Sequence, residues 1–222
     1  MASTTIDIDT ELSAVNNILG AIGQSPITAL GNVSTTVTTD ANGVQTTTSS
    51  FDNPEVAVIY NLLRDANVDT QAEGWHFNTE KHEPFPPDTN GNIFIGDDIL
   101  SMDLHDNRFD RRKDLVRRNG KIYDKIKHTD VFTETLDLDV VRLYKFEDLP
   151  TAFRRYITYR ASRTAATQLV ANPQLVKLLA QQEALARAAL MEYECNQADH
   201  SMFGFDDETH YQTYQPFRNL RR

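Results

Sequence analysis

Apolar residues recur at helical spacing near both ends of the chain and alternate with polar residues in its middle. In "TELSAVNNILGAIGQSPITAL", Thr10 is placed to cap a helix and Glu11 sits in its first turn, where the helix dipole favours an acid. Leu12, Val15, Ile18, Leu19 and Ile22 form one apolar face. Gly23 suits the left-handed position after the helix, and Pro26 prevents continuation. A second helix is predicted from Asn53 as cap and Pro54 as first residue to near Gly74, with Val56, Ile59, Leu63 and Ala66 as its stripe. A third starts near Pro150 and carries Phe153, Ile157, Ala161, Ala165 and Leu169. Asn172-Pro173 repeats the cap and opens a long alanine-rich fourth helix. There Val176, Leu179, Ala186, Leu190 and Tyr193 form a stripe interrupted by Glu183.

Between the helical pairs the period changes. Leu136, Leu138 and Val140 alternate with polar residues, as in a strand with one wet face. Asn119-Gly120 lies between two short β-like runs and predicts a tight hairpin. Pro84, Pro86 and Pro87 are expected to prevent strand pairing locally. The Thr- and Ser-rich stretch from Gly31 to Ser50 reads either as a mobile loop or as an exposed hairpin around Asn42-Gly43.

The pattern predicts an α+β fold: a four-helix bundle-like domain with an inserted antiparallel β-domain and an extended C-terminal tail. The expected boundaries are 1–74 for the N-terminal helical pair with its insert at 31–50, 75–146 for the β-domain, 147–198 for the C-terminal helical pair and 199–222 for the tail. The first helix is expected to pack against the last two.

Composition narrows what such a fold does. The 222 residues carry a formal net charge of -10, which disfavours a DNA-gripping protein, since phosphate binding needs clustered Lys and Arg. The single cysteine, Cys195, allows no intrachain disulfide and no cysteine-based zinc site, as expected for synthesis in a reducing cytoplasm. No apolar run is long enough to span a bilayer, and "MASTTIDIDT" lacks the features of a signal peptide.

Motifs that carry chemistry are few. None of the six histidines forms a zinc-type spacing, so no metal site is expected. No nucleophile elbow or phosphate-binding loop is present, so no cofactor and no catalytic residue is expected. Carboxylates are plentiful, and Asp97-Asp98 or the Asp137/Asp139 pair could seed the two-carboxylate site of a glycan hydrolase, the alternative function. The one basic concentration, "NRFDRRKDLVRRNGKIYDKIK", includes Arg111, Arg112, Arg117, Arg118 and Lys121. It reads as a charged hairpin face or as a contact with a partner, protein rather than DNA. Arg154, Arg155, Arg160 and Arg163 do not make one stripe, and pairing with acids of another helix or subunit is expected. The tail holds Phe203, Phe205, Tyr211, Tyr214 and Phe217, an aromatic content that fits an interface anchor or packing over its own domain.

Four stretches together resemble one family. "ELSAVNNILGAIGQSPITAL", "AEGWHFNTE", and "VVRLYKFEDLPTAFRRYITYRASRTAATQ" followed by "EALARAALMEYECNQAD" are similar to the tail tubular protein A family, the adaptor (gatekeeper) proteins of T7-like short-tailed bacteriophages. The resemblance spans about residues 11 to 200. It implies a structural virion protein of the tail that forms a dodecameric ring under the portal. It also implies partners: the portal protein, the tail nozzle (tubular protein B) and nearby tail fibres, with DNA passing through the lumen during genome ejection. On that basis the aromatic tail is expected on the portal, and the β-domain with Arg111, Arg112, Arg117, Arg118 and Lys121 on the nozzle and fibre side. The Thr-rich insert and the C-terminal tail depart from the family's pattern.

Overall fold

The computed structural model describes residues 10–30, 36–39, 45–48, 53–105 and 113–197. The first helix, α1, runs Glu11–Ala21, with the Thr10 side chain accepting from the Ser13 N–H. It ends in a Schellman arrangement: Gln24 N–H donates to the Leu19 carbonyl (2.9 Å) and Gly23 N–H to that of Gly20 (3.1 Å). Gly23 has φ +80°, the left-handed geometry that its lack of Cβ permits. The Asn16 side chain then ties the following loop back to the helix through both backbone groups of Ile27, at 2.8 and 3.0 Å.

Two short strands, β1 (Thr36–Thr39) and β2 (Gln45–Thr48), pair antiparallel, which is the hairpin reading of the Thr-rich stretch. Helix α2 (Pro54–Gln71) is capped by Asn53, whose Oδ1 accepts from Glu55 N–H at 2.9 Å. Val56, Ile59, Leu63 and Ala66 are all buried, as their spacing predicts.

The middle of the chain forms small antiparallel sheets. Strands β3 (Thr79–Phe85), β4 (Ile99–Leu104) and β7 (Leu136–Arg142) pair in the order β3-β7-β4. Strands β5 (Leu115–Arg118) and β6 (Lys121–Asp124) form a separate hairpin. Asn119 (φ 52°) and Gly120 (φ 71°) make its turn, the geometry that Asn-Gly favours. Leu136, Leu138 and Val140 are buried and join Ile93, Ile95, Ile99, Ile122 and Phe132 in a compact β core.

Pro84 corrects one expectation: it lies within β3, opposite Asp137. The Asp137 carbonyl accepts from His105 N–H (3.0 Å), on the β4 side. Its backbone polar groups therefore face away from β3, and the missing N–H of Pro84 falls on the open edge of the sheet. Pro86 and Pro87 follow the strand's end.

Helix α3 (Thr151–Ala165) buries Phe153, Ile157, Ala161 and Ala165, and a π-turn over Ala166–Val170 follows it. That turn corrects the expectation for Leu169, which is 43% exposed: wider winding rotates it off the apolar face. Helix α4 (Pro173–Gln197) begins with Asn172 Oδ1 accepting from Gln174 N–H at 3.0 Å. Its stripe is thinner than the spacing predicts, with Leu179 and Leu190 buried and Val176, Ala186 and Tyr193 half-buried. The reason is position. Helix α3 is central, touching α1, α2 and α4, whereas α4 packs chiefly on α3. The first helix accordingly packs on α3, as expected, and also on α2, while it faces α4, the other helix it was expected to pack against, across a groove. One apolar core draws on all four helices together with Trp75, Phe146 and Leu149.

Candidate assembly surfaces

Where the helical core meets the sheets, buried amides do the joining. Gln71, at the end of α2, accepts from Tyr144 N–H (2.8 Å) and donates to the Tyr144 carbonyl (2.9 Å). Asn78 donates to the carbonyls of Gln71 (2.9 Å) and Arg142 (3.0 Å) and accepts from Trp75 N–H (2.8 Å). Trp75 Nε1–H donates to the Thr70 carbonyl (2.6 Å), and its ring meets Phe153 edge-on at 5.1 Å. From α4, Glu194 accepts from His76 N–H (2.6 Å), and the Arg187 guanidinium lies over Trp75 and Tyr156 while pairing with Glu73. The stretch "AEGWHFNTE" is thus the seam of the molecule.

On the sheet, Arg142 gathers Glu80, Glu83 and Asp98. The hydrogen bond from Arg142, then that from Tyr144, holds the Glu80 carboxyl below its ordinary value. The partnership with Glu80 raises the arginine in turn. Asp139 accepts from His82 N–H (3.1 Å) and bonds to His105 Nδ1 (2.9 Å), and the two imidazoles lie against each other tilted by 39°, with centroids 3.3 Å apart. These contacts occupy three of the four acids named for a two-carboxylate site. Asp97 pairs with Arg117, Asp98 with Arg142, and Asp139 serves the two histidines. Asp137 and Asp139 do share the wet face of β7, as the alternation predicts. Among the described residues no cluster of His, Cys, Asp and Glu could hold a metal ion.

Of the five basic residues singled out on the hairpin side, Arg111 and Arg112 lie outside the described residues. Arg117 pairs with Asp97, Arg118 stacks on Tyr123 (4.1 Å to the centroid), and Lys121 donates to Asn92 Oδ1 (3.2 Å) beside the Phe94 ring. The β5-β6 hairpin therefore holds its charges in place, with Phe94 exposed next to them. Below the turn, Asp124 is buried. Burial alone would raise its carboxyl, but three backbone N–H groups, of Ile126, Lys127 and Asp114, hold it lower. Phe203, Phe205, Tyr211, Tyr214 and Phe217 also lie outside the described residues.

The arginines of α3 separate by role. Arg160 pairs with Asp69 of α2 (2.8 Å) and Arg163 with Glu183 of α4, which explains the acid interrupting the α4 stripe. Arg154 is buried toward α1 and donates to Thr151 Oγ1 (3.2 Å). Arg155 is exposed in a groove bounded by α1, α3 and α4. Sequence reasoning did not single out this groove, because its walls come from three helices far apart in the chain.

A family model described as Tube, tail tubular protein, matches residues 41–200. The chain belongs to the tail tubular protein family. The match begins inside the Thr-rich stretch and takes in the seam, all the sheets of the middle region, α3 and α4, while α1 precedes it. As a tail tubular protein it is a structural component of a phage tail. No curated protein matches the chain. Among the described residues of this tail tubular protein, no helix is long and apolar enough to cross a membrane.

Proposed function

We propose that the chain is the adaptor of a short-tailed phage: it assembles into a ring that joins the portal to the tail nozzle and surrounds the DNA exit channel during genome ejection. Membership of the tail tubular protein family carries this reading. The arrangement of charge supports a role in contact rather than chemistry. Asp97 and Asp98 are held by arginines, Asp139 by a histidine and Asp124 by backbone amides. No observation favours the glycan hydrolase.

In this reading 1–74 and 147–198 build the helical domain, 75–146 is a β insertion, and 199–222 is a tail anchored on the portal through Phe203, Phe205, Tyr211, Tyr214 and Phe217. The side of the β insertion bearing Arg111, Arg112, Arg117, Arg118 and Lys121 faces the nozzle and fibres. Head-to-tail contacts between identical subunits close into a ring, dodecameric in the family the sequence resembles. A net charge of -10 suits a channel that repels phosphate and lets DNA slide. Cryo-electron microscopy of the chain bound to portal tests the reading. A closed ring with a mainly acidic lumen is expected, and a lumen lined mainly by Lys and Arg would overturn the channel argument.

A further inference from the structure

Two adjoining grooves run along α3. One, of about 490 Å³, lies between α1, α3 and α4. The other, of about 440 Å³, continues it between the start of α3 and the middle of α4. Arg155, Tyr159 and Gln182 line both. No Asp or Glu lines either one, which is notable in a chain with ten more negative than positive charges. Leu185, which lines the second groove, is 73% exposed and gives it an apolar edge. Arg155 makes no ion pair among the described residues.

The opposite side of the helical core carries the complementary pattern. Helix α2 buries Val56, Ile59 and Leu63 and turns Val58, Asn61, Asp65 and Val68 outward. Spacings of three and four place these four on one stripe. Val58 and Val68 are 40% and 37% exposed, and Asp65, between them, has no ion-pair partner among the described residues. The two surfaces point apart. At about 100° per residue, Arg155 projects roughly 160° from Ile157 around the α3 axis. Ile157 is buried in the helical core, and Arg160 reaches Asp69 of α2.

We propose that the α1/α3/α4 groove receives the outer stripe of α2 from a second copy of this chain, with Asp65 of that copy meeting Arg155 and its valines meeting the Leu185 rim. A groove on one side and its ligand on the other give a heterologous contact, the kind that propagates from subunit to subunit until it closes. The helix-in-groove geometry supplies the apolar area, and the single acid–base pair fixes the register. This rests on the self-assembly reading above and adds which faces meet.

The test is sedimentation velocity over a concentration series on the full chain and on R155E, D65R and their equimolar mixture. Wild type is expected to self-associate. Each single variant should weaken association at least tenfold, and the mixture should recover it, because each contact then joins opposite charges once more. Recovery in the mixture also shows that both variants fold. Association of R155E equal to wild type overturns the groove while leaving self-assembly standing. A wild type that stays monomeric throughout overturns both. The aromatic C-terminal tail is the rival occupant: if deleting 198–222 abolishes association and the mixture recovers nothing, the groove belongs to the tail and the proposal is wrong.

Discussion

The side-chain amide of Gln71 bonds to both backbone polar groups of Tyr144, 73 residues away in sequence. It imitates one rung of a β-ladder and so fastens the end of α2 to the chain leaving β7. Asn16 does the same for Ile27 within the N-terminal segment. Gln71 is fully buried, so Q71A removes these bonds and leaves unfilled space at the seam. A loss of about 2–3 kcal/mol is expected, read by urea denaturation. A loss below ~0.5 kcal/mol would show that the seam is held by packing alone.

Among the described residues Phe153 is the largest fully buried side chain, and it meets Trp75 and Phe77 edge-on, at 5.1 and 4.6 Å. F153A is expected to cost about 3–5 kcal/mol. Leu169, on the exposed π-turn, should tolerate alanine within about 0.5 kcal/mol by the same measurement.

The Arg142 cluster makes stability depend on acid. Glu80 and Asp124 both have folded-state values below those of the unfolded chain. Their stabilisation is therefore fully present above about pH 5, where both are ionised even in the unfolded chain, and is lost as the pH falls through the folded values. The denaturant midpoint should hold steady from pH 7 to 5 and drop below about pH 4. R142M should lower stability at pH 7 by about 1–3 kcal/mol and flatten the part of the acid drop that Glu80 contributes. An acid profile identical to wild type would remove Arg142 from that role.

The basic hairpin can be separated from its internal pairing. R117E places a carboxylate beside Asp97, and R118E gives up the stack on Tyr123, so some local loosening accompanies either change. Docking to the nozzle should weaken in R117E/R118E while thermal unfolding of the helical core is retained. If docking survives, the hairpin is a charged edge and no more. Deletion of 201–222 should leave folding intact and abolish portal pull-down; unchanged binding would contradict the tail anchor.

Local signals were readable from the sequence. Thr10, Asn53 and Asn172 cap helices through contacts within three residues, and Asn119-Gly120 makes its turn unaided. What depended on neighbours was not readable. Pro84 can stay in a strand because β3 is an edge strand and the proline faces outward, and only sheet order decides that. Leu169 leaves the helical face because a π-turn changes the winding. Arg155 looks like its neighbours Arg154, Arg160 and Arg163 until α1, α2 and α4 are placed around α3. The histidine pair at Asp139 joins two strands through a third, with no spacing to announce it.

The mass of the particle formed by the purified chain with portal, measured by native mass spectrometry, tests the adaptor reading most directly. A portal complex carrying many copies of this chain is expected, twelve if the family's ring holds. A portal that takes up none, or only a single copy, would contradict it.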